Sequence, residues 1–464
     1  MAPLRSIRSM LLFPCASFVL SCLAQPYWAP AGLPGNAAPM AQVYANDAHD
    51  TIYYCGRTVL DTGSYWAAKN PVLRYAAGGW DTLGYIYTPI IKSVVLYHDT
   101  LIAGGSFIFL DDGTPAEGIA YWADSTWQLY GDLDHAVWKL RVLDDTLYAV
   151  GSFDMADGQP ANGIARRQGG QWVPVGQLPA DEMNWWDVTK YQGRLITLGN
   201  GYINGLRGIY ELVNDEWSVL GPGFTGGISG AQSMVEFQGD LYVGGQILLQ
   251  EGNAGQAIMR WDGAQFHPVG TGLQTYFNDF SSISNAVCMT VHDDLLWVGG
   301  GFHYASGVEA HGVATWDGER WCGVPGALFG EQWEGAYSMD FYYDTLFVAC
   351  GDTADGQYVN QGAKFIGTSY VDSCGAPMGI PAIAVPDQSQ LIVWPDASGQ
   401  WSVIGAIPGM QPLVIYDAVG RATLRSQVRV PTDGPFSIDP GVLDRGAYVL
   451  SVGDRSRKVL VVQP

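Results

Sequence analysis

The run Asp144-Asp-Thr-Leu-Tyr-Ala-Val-Gly-Ser-Phe153, Asp154-Met-Ala-Asp-Gly-Gln-Pro-Ala161, Asn162-Gly-Ile-Ala-Arg-Arg-Gln168, Gly169-Gly-Gln-Trp-Val-Pro-Val-Gly176 decides the fold. It reads as a tight turn, a strand ending in small residues, a Gly/Asp loop, a second strand, another tight turn and a strand centred on Trp172. Anchored on the apolar residue after the first turn, the pattern recurs at Ile52, Leu101, Leu147, Leu195, Leu241, Leu296 and Leu346, at intervals of 49, 46, 48, 46, 55 and 50 residues. A period of this length marks a repeat architecture.

Each unit opens at a polar pair suited to a two-residue hairpin: His98-Asp99, Asp144-Asp145, Gln192-Gly193, Gln238-Gly239 and Asp344-Thr345. Short apolar runs follow, such as Leu101-Ile-Ala-Gly-Gly105 and Leu296-Trp-Val-Gly-Gly300. Runs of this kind suit strands buried on both faces, with glycines where packing is close. A third strand carries Trp122, Trp261 or Trp316, and a fourth carries Trp80, Trp127, Trp172, Trp217, Phe266 or Trp321. Four strands in each of seven units predict an all-β chain whose main body is a seven-bladed β-propeller, an arrangement that leaves only short protected edges.

The triplets Gly151-Ser-Phe, Gly163-Ile-Ala and Trp316-Asp-Gly resemble the kelch and galactose-oxidase-like propeller repeats, and more closely those of secreted bacterial propellers. The resemblance implies the fold and not an activity, since propellers host many unrelated functions.

Residues 1–24 combine Arg5 and Arg8, an apolar run from Met10 to Leu20 and a small residue at Ala24, the layout of a cleaved export signal. A lipoprotein alternative rests on Val19-Leu-Ser-Cys22. The propeller is expected over residues 25–375, a Pro/Ala/Gly-rich linker over 376–388 and a small β-sandwich over 389–464. In the last segment Tyr416-Asp-Ala-Val-Gly-Arg421, Gly446-Ala-Tyr448 and the basic-then-aliphatic run from Arg455 to Val462 resemble the C-terminal sorting domain of the type IX secretion system of Gram-negative bacteria. The resemblance implies the secretion machinery as a partner, a secreted or cell-surface destination reached through the periplasm and outer membrane, and Gly420, Arg421, Gly446, Tyr448 and Lys458 as motif residues.

The net charge of −22 lies almost wholly outside the C-terminal segment and argues against nucleic acid or an anionic lipid surface as partner. No stretch after the signal is long and apolar enough to span a membrane. Five cysteines follow residue 24, and an oxidising compartment permits disulfides. The candidate pairs are Cys322 with Cys374 and Cys55 with Cys350, with buried thiols as the competing state.

The tight turns fall on one face of such a fold, and the long loops gather on the other, where function usually sits. The Asp/Gly loops offer Asp154, Asp157, Asp352 and Asp355 as calcium ligands, although Asp-Gly is also what a plain turn wants. Calcium is the one candidate cofactor. The blade-to-blade connections carry Trp138, Trp185, Trp186, Tyr276 and Trp333 with carboxylates nearby, among them Asp134, Asp187 and Glu334. Flat rings beside polar groups stack on sugars or take up peptide side chains, and their competing role is to fill space between blades. His303 and His311 share one loop with Glu309. HExxH, GxSxG, Walker A and CxxC are all missing from the sequence, and Gly221-Pro-Gly-Phe-Thr-Gly226 lacks the βαβ context of a dinucleotide site. The expectation is a non-catalytic binding protein for an extracellular glycan or protein. The alternatives are a glycosidase or lyase using paired carboxylates at the channel mouth, and a structural surface protein.

Overall fold

Asp144 (φ 46°) and Asp145 (φ 58°) sit in the left-handed region and reverse the chain between Val137–Leu143 and Thr146–Gly151. Short polar side chains and glycine tolerate that geometry, whose twist matches paired strands. His98-Asp99, Gln192-Gly193 and Gln238-Gly239 do the same, as does Asp293-Asp294. In the seventh unit the tip is Tyr343-Asp344, one residue before the expected Asp344-Thr345, because Tyr342 pairs with Thr345. Tyr343 is held at φ 48° by contacts to the neighbouring sheet: its N–H donates to Asp47 Oδ1 (2.9 Å) and its hydroxyl to Asp50 Oδ1 (3.2 Å).

The computed structural model describes residues 26–34, 37–58, 68–76, 78–177, 184–199, 208–224, 228–249, 252–275, 284–329, 335–367, 392–395, 400–404, 406–416, 421–431, 436–440, 443, 446–453 and 455–461. Among them there is no α-helix, a 3-10 turn lies at Asp47–His49, and no helix is long and apolar enough to cross a membrane. The chain divides into two units, Met1–Gly375 and Ala376–Pro464.

The first unit is all-β and β-propeller-like. The third repeat pairs Val137–Leu143, Thr146–Gly151, Ile164–Gln168 and Gln171–Pro174 in chain order, all antiparallel. The sheets beginning at Ala37–Asn46, Ile91–Tyr97, Trp185–Tyr191, Ile228–Phe237, Cys288–His292 and Ala336–Tyr342 are built alike, the first gaining Phe109–Leu110 as a fifth strand. These first strands pack one against the next in sequence, and Ala336–Tyr342 packs back onto Ala37–Asn46, so the described sheets close on themselves around an axis. The last sheet takes its outermost strand from the other end of the chain, Trp28–Pro30 pairing with Gly362–Phe365.

Cores form between neighbouring sheets and not within one. Val95 and Ile102 join Val137, Leu140, Leu147 and Ala149, and Phe347 and Ala349 join Val43, Ile52, Tyr54 and Leu73 across the closure. Second strands are buried on both faces, as their continuous apolar sequence requires, and each large side chain so buried contributes about 1.5–3 kcal/mol.

The fourth-strand tryptophans form a common staple. Trp127, Trp172, Trp217 and Trp321 each donate Nε1–H to a carbonyl of the preceding sheet's end, at Leu83, Tyr130, Val175 and Val269, over 2.7 to 3.0 Å. Trp80 donates to Ala31 (3.0 Å) and Trp28 to Pro325 (3.1 Å) in the same way.

The expected Asp/Gly loop after residue 153 is itself a small hairpin, Met155–Ala156 against Gln159–Pro160, with Asp157-Gly158 at its tip. Similar pairs occur at Tyr304–Ala305 with Val308–Glu309 and at Thr353–Ala354 with Gln357–Tyr358. Cys55 and Cys350, expected as a pair, are buried free thiols, whereas Cys322 is in a disulfide. Burial raises the Cys55 thiol pKa to about 12, the behaviour of a thiol filling space.

The second unit has two sheets, Ile392–Pro395 with Trp401–Ile404 and Phe436–Ile438, and Ala422–Val430 with Gly409–Tyr416, Gly446–Val452 and Arg455–Val461. Trp401, Val403 and Ile438 from one join Leu413, Ile415, Tyr448 and Leu450 from the other in a single core.

Candidate functional site

Every first strand begins at the long-loop end, and six of them are irregular there, five by a single extra residue at an equivalent place. The register slips between Ile91 and Ser93, Val137 and Lys139, Trp185 and Asp187, Ala231 and Ser233, and Ala336 and Ser338. A bulge of this kind re-aims the extra residue. The residues so placed are Lys92, Trp138, Trp186, Gln232 and Tyr337, all half-buried, at equivalent positions around the axis. Glycines ending the second strands make room for the bulge. A Cβ on Gly151 would lie 2.0 Å from the Ala136 carbonyl oxygen, and one on Gly199 would lie 2.3 Å from that of Asn184.

Deeper along the axis, the free edges of the first strands are satisfied by side chains of the sheet before. Gln42 Oε1 accepts from Val94 N–H (2.8 Å), Ser93 Oγ from Leu140 N–H (3.0 Å), Ser338 Oγ from Val43 N–H (3.2 Å) and Asp340 Oδ2 from Ala45 N–H (2.9 Å). These bonds protect edges that would otherwise be left open, and they explain polar residues inside otherwise apolar strands.

Two of the predicted aromatics come together here. Trp138 and Trp186 stack with centroids 5.6 Å apart at 29°, and Lys92 Nζ lies 5.3 Å from the Trp138 ring centre. Among the described residues the Trp138 indole N–H and Gln232 Oε1 are buried without a hydrogen-bond partner. Trp185 does not belong with them. Its ring is fully buried between sheets, edge-on to Tyr210, with Nε1 donating to Asn162 O (2.8 Å), because the bulge turns Trp186 towards the axis and leaves Trp185 in the core. Tyr276 and Trp333 lie outside the described residues.

Below the rings lies an ionic group missed by the sequence reading, except for Asp187. Arg141 Nε and Nη2 donate to both oxygens of Asp187 at 2.9 and 2.8 Å. Burial opposes the charge on Asp187, but the guanidinium outweighs it and holds the carboxyl below the usual carboxylate range. Asp340 goes the other way: burial raises its pKa despite N–H donors from Ala45 and Phe341 and the nearby Lys139 and Arg141. Lys139 is lowered by burial and by Arg141, and Lys92 by burial. Among the described residues neither lysine ammonium has a carboxylate within ion-pair distance. The signal that pointed here is the strand Val137-Trp-Lys-Leu-Arg-Val-Leu143, which places two cations where its neighbours are apolar.

Three of the four calcium candidates accept hydrogen bonds within the chain. Asp157 accepts from Asp132 N–H (2.8 Å) and Trp172 N–H (2.6 Å), while Asp355 accepts from Tyr27, Trp28 and Ala327 N–H over 2.7 to 2.9 Å. Each ties a fourth strand to the connection beneath it. Asp352 accepts from Gln361 Nε2 (3.0 Å). Asp154 stands with Asp134 and His135 on the loop face, their ligand atoms within 4.8 Å of one another, close enough to hold a metal ion. His303 and His311 meet edge-on at 5.9 Å, and Glu309 lies 2.7 Å from His311 Nε2. In the second unit Tyr448 is a core residue, Arg421 is exposed, Gly446 and Lys458 lie on paired strands, and Gly420 is outside the described residues.

No protein-family model matches the chain, and no curated protein matches it. Solved structures with some likeness include a Bacteroides thetaiotaomicron protein of unknown function (12% identity over 71% of this chain and 91% of that one, TM-score 0.32). Others are an exo-β-1,3-galactanase from Phanerochaete chrysosporium (8% identity, 93% and 95% covered, TM-score 0.30) and a GH43_12 protein from a capybara gut metagenome (11%, 95% and 84%, 0.29). Likenesses this slight assign no chemistry to the chain.

Proposed function

We propose that the chain is an exported seven-bladed β-propeller that binds an extracellular saccharide at the loop-face mouth of its central channel. The observation that carries the proposal is the Trp138–Trp186 stack: two half-buried rings on rigid strands, with an unpartnered indole N–H beside them. Aromatic faces with a few convergent polar groups suit the apolar faces and hydroxyls of sugar rings. The blade number is supported by the closed succession of first strands and by cores shared between neighbouring sheets.

The enzyme reading has its own candidates in Asp187 and Asp340, one carboxyl lowered and the other raised, as acid–base pairs often are. Both are already engaged, Asp187 by Arg141 and Asp340 by two backbone N–H groups. Binding without turnover is therefore the better-supported reading. For the second unit we propose a β-sandwich that directs the chain through the type IX secretion system to the cell surface or medium, with the residues named above as its motif.

Calorimetric titration of the full chain against an oligosaccharide panel tests the site. Binding is expected, and it should be lost in Trp138→Ala and Trp186→Ala variants that still fold. Sugar release in the same mixtures would transfer the reading to a hydrolase or lyase, and silence across the panel would end it. For the export proposal, removing residues 376–464 should leave the protein in the periplasm.

A further inference from the structure

Lys92 lies beside the rings of the channel mouth and Lys139 just below them. A cation held among strands and left without a carboxylate is costly, and folded proteins seldom keep one without use. Among the described residues there are two here without a carboxylate at ion-pair distance, on neighbouring first strands. Lys92 lies over the Trp138 ring, and Lys139 follows Trp138 directly. Among the described residues the titratable groups that face them are Cys55, Cys288, Arg141, Asp187 and Asp340, Cys288 being a thiol raised to about 12 by burial. Cys55 neighbours both and is neutral, its thiol raised to about 12 by burial. Asp187 is occupied by Arg141, and Asp340 accepts backbone N–H groups from Ala45 and Phe341. The named channel charges are three cations against two carboxylates, inside a chain whose net charge is −22.

We propose that the ligand of this mouth is an acidic saccharide whose carboxylate is received by Lys92 and Lys139 while a sugar ring stacks on Trp138 and Trp186. The inference rests on the saccharide reading above and narrows it to uronate-bearing chains. A neutral sugar would leave both ammonium groups as they are. A carboxylate gives each a charge-assisted partner in a site shielded from bulk water, where such bonds are strongest. The surrounding negative charge does not forbid this. At physiological ionic strength the screening length is about 8 Å, so distant surface carboxylates slow the approach more than they weaken the seated complex. The Trp138–Trp186 stack and Lys92 lie against one another, so a ring that packs on the aromatic pair brings its carboxylate within the reach of the cations.

The experiment compares oligogalacturonate with a galacto-oligosaccharide of equal length by titration calorimetry on the full chain, at low and moderate salt. Lys92→Met, Lys139→Met and their double variant are included, with Trp138→Ala as control and thermal melting to establish folding. The expected result is at least tenfold tighter binding of the acidic oligomer at low salt and a loss of most of that preference at moderate salt. In the double lysine variant the acidic oligomer should bind no better than the neutral one. If the neutral oligomer binds as tightly, or the double variant keeps the preference, the charge inference is wrong while the saccharide reading stands. If neither oligomer binds and Trp138→Ala changes nothing, both fall.

Discussion

The indole Nε1 of Trp28 donates to the carbonyl oxygen of Pro325 over 3.1 Å, joining positions 297 residues apart. Five other tryptophans make the same bond to the sheet before them, so the N-terminal strand supplies the missing member of a repeated set. Its ring is fully buried and meets Phe365 edge-on at 5.2 Å. Trp28→Ala should therefore open the closure and cost about 3–5 kcal/mol. Trp28→Phe, which keeps most of the packing and loses the hydrogen bond, should cost less. Urea denaturation of both variants measures the difference, and equal, small losses would show that the ring closes without this staple.

Asp157 and Asp355 make a second prediction, about calcium. Their oxygens are hydrogen-bonded to backbone N–H groups of two segments each, so either Asp→Ala change removes charge-assisted bonds to exposed and part-buried donors and should cost about 1.5–3 kcal/mol. Chelator should leave the wild-type melting temperature where it is. A drop on chelation, restored by calcium and absent in the variants, would return these residues to metal binding.

Trp185 and Trp186 are neighbours with opposite roles, and the contrast is measurable. Trp185→Ala should cost about 3–5 kcal/mol of stability, since it empties a core position between sheets. Trp186→Ala, at a half-buried ring packed against the edge of a core, should cost less stability than Trp185→Ala and lose saccharide binding. The reverse pattern would mean that the bulge does not sort the two rings as described.

That sorting marks the limit of what was legible in the residues. The repeat, its hairpin tips and its Trp-bearing strands follow from local chemistry: left-handed turn pairs, apolar runs and a fixed period. Adjacent residues on a regular strand point to opposite faces, but a register slip between Trp185 and Asp187 changes which ring faces the axis, and no side-chain pattern announces it. Trp28 escaped because its sheet partners lie at the far end of the chain, and Lys92 and Lys139 because convergence on an axis is a property of the ring rather than of any one strand. Asp157 could be named in the sequence only as a candidate ligand, because a carboxylate in a loop looks the same whether it binds a metal or a backbone N–H.

The axis carboxyls give stability a pH dependence of known sign. Asp340 holds its proton more tightly folded than unfolded, so its contribution is present below the ordinary carboxylate pKa of 3.8 and is lost as pH rises through its higher folded value. Asp187 is the opposite, contributing above 3.8 and losing that contribution as pH falls through its lower folded value. Relative to Asp340→Asn, wild type should therefore lose stability on going from pH 3.5 to pH 7, a difference readable from melting curves (about 1.4 kcal/mol for each unit of pKa shift). A gap constant with pH would place Asp340 in a more solvated setting.

Lys92 gives the last prediction and the one that connects fold to function. Its ammonium loses hydration on burial and, among the described residues, gains no carboxylate in return, and its pKa is lowered for that reason. A base with a lowered folded pKa binds its proton more weakly folded than unfolded, so its charged form weakens the fold below that pKa, and the cost fades as pH rises towards the ordinary lysine value of 10.5. Lys92→Met keeps the length of the side chain and its contact with the Trp138 ring while removing the charge. At pH 7 it should be more stable than wild type by about 0.5–2 kcal/mol, the usual size of a gain from relieving a functional compromise. That gain should shrink in alkaline buffer, and acidic-saccharide affinity should fall with it. A variant that loses stability at pH 7 would mean that Lys92 is a structural member of the ring, and its place in the binding site would have to be given up.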